Sequence, residues 1–174
     1  MYSEKEGEHM GEEMNNVLYE LEEDTQKGKF LTFSLGNEYY GIDIMYVTEI
    51  VGIQPITLIP ELPNFIRGII NLRGKIIPVM DARIKFNKEP KEYNDRTCII
   101  VIDVLELSIG IIVDAVSEVL PIRNEDIVPP PNLNTGGQKY IKSIGKCNDN
   151  VILILDCEKL LNESEMDELK SSNE

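Results

Sequence analysis

The stretch "FIRGIINLRGKIIPVMDARIKF", residues 65–86, is the most informative part of the sequence because it recurs. It aligns without a gap on "YIKSIGKCNDNVILILDCEKLL", residues 140–161. In both copies an aromatic residue, an Ile and a basic residue open an apolar strand, and an Asp precedes a short amphipathic stretch. Self-similarity at a distance indicates a duplicated structural unit.

The similarity extends upstream, where "YGIDIMYVTEIV", residues 40–51, aligns on "IGIIVDAVSEVL", residues 109–120. Short runs of Ile, Val, Phe and Tyr, broken by Gly, Pro, Asn and Asp, are typical of an all-β protein. The predicted strands are 29–35, 38–44, 46–52, 66–71, 75–80, 97–103, 107–113, 116–122, 140–145 and 151–155. Ten short strands favour two small barrels over one open sheet, because closure removes exposed edges. We therefore expect two related five-strand units in tandem.

The chain divides into a central β region with acidic segments at both ends. Residues 1–28 hold nine acidic residues against Lys5 and Lys27. Apolar residues at helical spacing in this segment fit either a mobile tail or a partner-binding helix. We expect an N-terminal segment at 1–28, a β region at 29–161, and a C-terminal helix with an acidic tail at 156–174. Within the β region, the first barrel is expected mainly in 29–86 and the second mainly in 95–155, and the last strands can be shared between them.

Composition excludes several classes of function. A net charge of -14 repels a phosphate backbone, so we expect no nucleic-acid partner. Three cysteines without CxxC spacing argue against a disulfide framework and a zinc site. No apolar run approaches the roughly 20 residues needed to span a bilayer, so we expect a cytoplasmic protein without membrane insertion. The only histidine, His9, lies in the acidic N-terminal segment, which removes the commonest general base from the β region.

The segment "NLRG", residues 71–74, is predicted to be a tight turn between two strands, with Arg73 at its exposed tip. The second repeat has Lys146, Cys147, Asn148 and Asp149 at the same positions, so the fold does not require arginine there. Arg73 therefore serves a contact outside the chain or is an ordinary solvated side chain. A guanidinium suits a partner carboxylate or backbone carbonyls.

Asp81 and Asp156 occupy equivalent positions in the two repeats. Paired carboxylates are compatible with acid/base catalysis, but an Asp between a strand and a helix is typically an N-cap. There is no Walker loop, GxGxxG, GxSxG or His-containing metal motif, which favours a binding module without catalytic residues, cofactor or metal. The proline-containing connections 56–63 and 125–133 fit either docking patches or half-buried loop anchors.

Four motifs together resemble the CheW family of bacterial chemotaxis coupling proteins. They are "EYYGIDIMYVTEIVG" (38–52), the stretch 65–86 quoted above, "YNDRTCIIVID" (93–103) and "GIIVDAVSEVL" (110–120). The resemblance covers the chain from about Lys29 to Leu161. It implies two five-stranded SH3-like barrels with a short C-terminal helix and no catalytic activity.

The resemblance also implies partners and binding residues. Family members link the cytoplasmic tips of methyl-accepting chemotaxis receptors to the regulatory domain of the histidine kinase CheA, so this protein is expected at membrane receptor clusters. The implied receptor-facing residues are Ile44, Val47, Glu49 and Arg73. Cys98, Ile99 and Val119 fall where the family contacts either partner, and Val128 and Leu133 lie in a kinase-contacting loop. Gly68, Gly74, Asp81 and Asp156 are expected to be structural.

Three alternatives remain at this point. A related scaffold with an added receiver domain needs a longer chain, and a kinase fragment is not suggested by a complete double barrel ending in a helix. A small hydrolase using Asp81 is the enzymatic alternative.

Overall fold

A computed structural model describes residues 26–131 and 139–172, and within these ranges the chain forms eleven strands, two α-helices and short 3-10 turns. The strands are β1 (Lys29–Leu35), β2 (Glu38–Asp43), β3 (Val47–Gly52), β4 (Ile66–Leu72), β5 (Lys75–Asp81), β6 (Cys98–Val104), β7 (Leu107–Val113), β8 (Ala115–Pro121), β9 (Ile127–Val128), β10 (Ile141–Cys147) and β11 (Asn150–Leu155). The helices are α1 (Ala82–Lys85) and α2 (Glu163–Ser172). Neither helix, within these described ranges, is long and apolar enough to cross a membrane.

The all-β class and the two-barrel architecture with a C-terminal helix are confirmed. All ten predicted strands are present, and each bound lies within two residues of its prediction. The two-residue strand β9 was missed because it lies in the proline-containing connection, where three prolines follow it and cannot donate to a ladder.

The predicted division of strands between the barrels needs correction. One sheet has the order β8-β1-β2-β11-β10-β9, and the other has β3-β6-β7-β5-β4. Each barrel therefore combines the first hairpin of one repeat with the third strand and second hairpin of the other repeat. The barrels are interleaved, because β3 and β8 each pair with the first strand of the opposite repeat, β6 and β1 respectively.

Equivalent hydrogen bonds confirm the repeat itself. The Asp81 N–H donates to the Phe65 carbonyl at 2.8 Å, and the Asp156 N–H donates to the Tyr140 carbonyl at the same distance. Each barrel also has one parallel strand pair, β5 with β7 and β11 with β2. The repeated sequence thus builds the same local geometry twice.

A shared apolar core joins the two barrels. Its aromatic rings form a row in which Phe33, Tyr40, Phe86 and Tyr140 follow one another at centroid distances of 5.6, 5.5 and 5.5 Å, the first two pairs stacked and the third tilted by 41°. These residues come from both repeats, so the core couples both halves of the chain. Buried aromatic pairs of this kind add about 1 kcal/mol each beyond the area that they bury.

The C-terminal helix is attached to this core through a buried cation. Lys85 places its ammonium 3.8 Å from the Phe65 ring centroid and 2.9 Å from a Glu165 carboxylate oxygen. Leu169 of the same helix is only 1% exposed. The Asn162 side chain accepts a bond from the Glu165 N–H at 2.8 Å and caps the helix. Helix α2 is therefore an integral part of the described structure.

An ion pair between the repeats sets up a pH-dependent prediction. The Arg83 guanidinium donates two bonds to Asp114, at 2.7 and 2.5 Å, and the Gly36 N–H donates a third at 2.7 Å. The hydrogen bonds from Arg83 lower the pKa of the Asp114 carboxyl. Because the folded pKa is lowered, the pair stabilises the fold above the unfolded pKa of aspartate, and this contribution is lost as pH falls through the folded pKa.

Arg83→Met is expected to lower the free energy of unfolding by about 2 kcal/mol at neutral pH. The difference from wild type should shrink at acid pH, where Asp114 is protonated in both proteins. Urea denaturation of both proteins at neutral and at acid pH measures this difference in the free energy of unfolding. Arg123→Met is the matched control, since Arg123 lies 80% exposed in its ion pair and should change little at any pH. A pH-independent loss in Arg83→Met would contradict the prediction.

Candidate protein-binding surface

Arg73 lies at the tip of the β4–β5 hairpin, as predicted, but the turn is shifted by one residue. Its central residues are Arg73 and Gly74, with φ angles of +52° and +87°. Two-residue hairpin loops with positive φ at both positions match the twist of the strands. The Asn71 side chain accepts a bond from the Gly74 N–H at 2.8 Å and stabilises the turn. The guanidinium is thereby held out on a rigid support.

The structure brings together Arg73 and Glu49, two of the receptor-facing residues that the resemblance implies. The Arg73 guanidinium donates to the Glu49 carboxylate on edge strand β3, and the two side chains are 72% and 25% exposed. The hydrogen bond that Arg73 donates to Glu49 raises the pKa of the Arg73 guanidinium. Most of the guanidinium remains free to contact another molecule.

Val47 and Ile44 precede Glu49 closely in the chain. Val47 begins β3, Ile44 begins the short 3-10 turn before it, and both are half-buried against the shared core. We call Ile44, Val47, Glu49 and Arg73 the Arg73 surface. Sequence reasoning missed two exposed apolar neighbours, Met45 at 62% and Ile50 at 43% exposure. Sequence pattern does not single them out, because an apolar residue such as Met45 in the 3-10 turn or Ile50 on β3 is expected to be buried.

One predicted contact residue needs correction. Ile99 is fully buried in the core of the five-stranded sheet, where β6 lies between β3 and β7. Its side chain therefore cannot reach a partner. Cys98 is half-buried at the start of the same strand, opposite Gly52 of β3.

Val119 lies on a different sheet from Cys98. It is 45% exposed on edge strand β8 of the six-stranded sheet. The structure thus places these two predicted contacts on separate barrels. Val128 is half-buried in β9 and pairs with Ile144. Leu133 lies outside the described residues.

Gly68 and Gly74 both require the conformation that glycine favours, but for different reasons. Gly68 has a φ of +146°, and an added Cβ would lie 2.2 Å from the Thr57 carbonyl oxygen. Thr57 exchanges two backbone hydrogen bonds of 2.9 Å with Ile69, so this close approach is fixed. Gly74 has a φ of +87° with open space around it.

Asp81 and Asp156 both act as N-caps. Asp81 is 4% exposed and accepts bonds from the Arg83 N–H at 2.9 Å, the Ile84 N–H at 3.4 Å and the Tyr93 hydroxyl at 2.8 Å. Burial, and then the bond to Asp81, raise the pKa of Tyr93. Asp156 accepts from the Glu158 N–H at 3.2 Å. Within the ranges that the structure describes, no three His, Cys, Asp or Glu side chains group as metal ligands.

Asp81→Asn is expected to lower the free energy of unfolding by about 1 kcal/mol, because the amide retains one oxygen for the cap but loses the charge. Denaturation in urea measures the loss. Asp156→Asn is the matched control and should cost less, since Asp156 is more exposed. Hydrolysis of a chromogenic ester by wild type, abolished in Asp81→Asn, would instead support the hydrolase alternative.

The described strands place the chain in the class of all-β proteins built from two small barrels. The fold is similar to the crystal structure of scaffolding protein TtCheW from Thermoanaerobacter tengcongensis, with a TM-score of 0.74 and 42% identity over 79% of this chain and 94% of that chain. The CheW-like domain model matches residues 29–165. The chain belongs to the CheW-like family.

Curated relatives agree with this assignment. The chemotaxis protein CheW of Klebsiella aerogenes is 40% identical over 151 residues, which cover 86% of this chain and 91% of the relative. The chemotaxis protein CheW of Treponema pallidum is 35% identical over 146 residues, covering 81% and 86% respectively.

Proposed function

We propose that this protein is a non-catalytic chemotaxis adaptor that couples methyl-accepting receptors to the histidine kinase CheA. The observation that carries the proposal is the Arg73 surface, where a charged pair and half-buried aliphatic side chains lie together on a rigid hairpin and edge strand. Membership of the CheW-like family supports the same function.

The Arg73 surface suits a receptor helix because it combines charge with apolar area. Arg73 and Glu49 present one group of each sign, which fixes the orientation of a partner more than it adds affinity. Val47 and Ile44 contribute area that a partner can bury. Rigid support from the Arg73-Gly74 turn limits the entropy lost on docking.

A second surface would bind the kinase regulatory domain. Val119 on β8 and Val128 in β9 belong to the six-stranded sheet, whereas the strands of the Arg73 surface belong to the other sheet. Two separate surfaces allow both partners to bind at once. Alternating contacts of this kind can close into rings beneath receptor clusters, where this otherwise cytoplasmic protein would be recruited. The receptor state would then bias the conformations of the kinase.

Binding of purified protein to a receptor cytoplasmic fragment and, separately, to the CheA regulatory domain tests the proposal. Wild type should bind both, and saturation with the kinase domain should leave receptor binding intact. Failure to bind either partner would overturn the adaptor function. Competition between the partners would overturn the assignment of two separate surfaces.

A further inference from the structure

The two barrels contain equivalent sites that are filled differently. The repeat alignment places Glu118 at the position of Glu49, and Asn148 at the position of Arg73. Glu118 lies on β8, which pairs with β1 as β3 pairs with β6, and both pairs have a register shift at this point. Asn148 has a φ of +49°, close to the +52° of Arg73. The backbone therefore repeats the geometry of the Arg73 surface.

The side chains do not repeat it. Asn148 has an uncharged amide where Arg73 has a cation, and a cleft of about 180 Å³ lies beside it, with Glu118, Asn150 and Tyr39 among its lining residues. No lysine or arginine among residues 26–131 and 139–172 forms an ion pair with Glu118. In the first barrel the equivalent carboxylate is covered by the Arg73 guanidinium.

Glu118 is held in position by the buried side chain of Thr32. The Thr32 hydroxyl donates to the Glu118 carbonyl at 2.7 Å and accepts from the Glu118 N–H at 3.3 Å. Thr32 is only 2% exposed, so both ends of the Glu118 backbone are fixed from the core side. The carboxylate is therefore presented on a preorganised support, which lowers the entropy lost on binding.

We propose that the Glu118 cleft binds an arginine side chain from a partner protein, the group that Arg73 provides within the chain at the equivalent site. A guanidinium can donate to the Glu118 carboxylate and to amide oxygens of Asn148 and Asn150 at once, and it stacks on aromatic rings such as that of Tyr39. The net charge of -14 favours encounter with a basic partner. This site goes beyond the adaptor proposal and does not depend on it.

A titration of the full chain with Nα-acetyl-arginine amide tests the site, followed by the shifts of backbone amide resonances. Saturable shifts should cluster at Glu118, Asn148 and Asn150. Nα-acetyl-citrulline amide has nearly the same shape without the charge and should give no clustered shifts. Shifts spread over the surface, or none at the cleft, would overturn the proposal.

Three variants separate the site from general charge effects. Glu118→Gln should abolish the clustered shifts, and Asn148→Arg should abolish them by filling the cleft from within. Val151→Arg adds the same charge at a position on β11 that is 56% exposed and does not line the cleft, and it should bind the probe as wild type does. Equal binding by wild type and Glu118→Gln contradicts the assignment.

Thermal unfolding gives an independent measurement without a ligand. Asn148→Arg should raise the melting temperature by a few degrees only when Glu118 is present, because the new arginine would recreate the pair of the first barrel. The double variant with Glu118→Gln should lose that gain. If Asn148→Arg changes the melting temperature by the same amount with Glu or with Gln at position 118, the side chains at positions 118 and 148 are not in contact.

Sedimentation of the wild type identifies the source of the arginine. A protein that stays monomeric while it binds the probe agrees with a different protein as partner. Self-association that both Glu118→Gln and Arg73→Glu abolish would assign the arginine to a second copy, and would overturn the proposal of a different partner.

Discussion

Gly68→Ala is expected to lower the free energy of unfolding by about 3 to 5 kcal/mol, among the largest effects of any single substitution. An alanine Cβ would lie 2.2 Å from the Thr57 carbonyl oxygen, well inside contact distance. The obstacle is backbone, which cannot rotate away as a flexible side chain could. The φ of +146° adds strain for any residue with a side chain.

Gly74→Ala is the matched control, because it lies on the same hairpin and also has a positive φ. No atom lies within 4 Å of its added Cβ, so only the positive φ opposes the substitution. The free energy of unfolding should therefore fall by about 1 kcal/mol. Urea denaturation of both variants measures the difference. Equal losses at the two glycines would show that the approach to Thr57 is not a constraint.

Arg73→Glu is expected to weaken binding to a receptor cytoplasmic fragment by about 100-fold. The substitution removes the cation and places a second carboxylate next to Glu49. Because the Arg73 side chain is mostly exposed in the free protein, the fold should be retained and the loss should appear as weaker receptor binding. Titration calorimetry with the purified receptor fragment measures it.

Arg67→Glu is the control for this charge reversal, since Arg67 is an exposed arginine on β4 of the same hairpin. It should leave receptor affinity within a fewfold of wild type. Binding of Arg73→Glu to the CheA regulatory domain should be unchanged. If receptor affinity also survives Arg73→Glu, the Arg73 surface is not the receptor site, whereas loss of both partners would indicate a damaged fold.

Strand positions could be predicted because they depend on local pattern. Runs such as "KFLTFSL" and "LSIGIIV" are apolar, rich in residues that favour strands, and bounded by turns. The exposed tip at Arg73 followed from the same local rules. The caps at Asp81 and Asp156 were also predictable, because an Asp between a strand and a helix has unsatisfied N–H groups beside it.

Pairing between distant strands could not be predicted in the same way. The repeat shows that two units are alike but not which hairpin joins which sheet, because that choice depends on contacts between distant residues. The partnership of Arg73 with Glu49 is such a contact. For Ile99 a usable signal existed: "CIIVIDV" is a nearly continuous apolar run, typical of a strand buried on both faces.

Interleaving of the repeats has a consequence for the protein during its synthesis. Strand β2 pairs with β11, which ends at Leu155, so the six-stranded sheet lacks a central strand until β11 has left the ribosome. The other sheet has its last strand at β7, which ends at Val113. The nascent chain can therefore complete the sheet of one barrel earlier in translation, while β1 and β2 lack their partner until β11 emerges and meanwhile expose unpaired strand edges that are prone to aggregation.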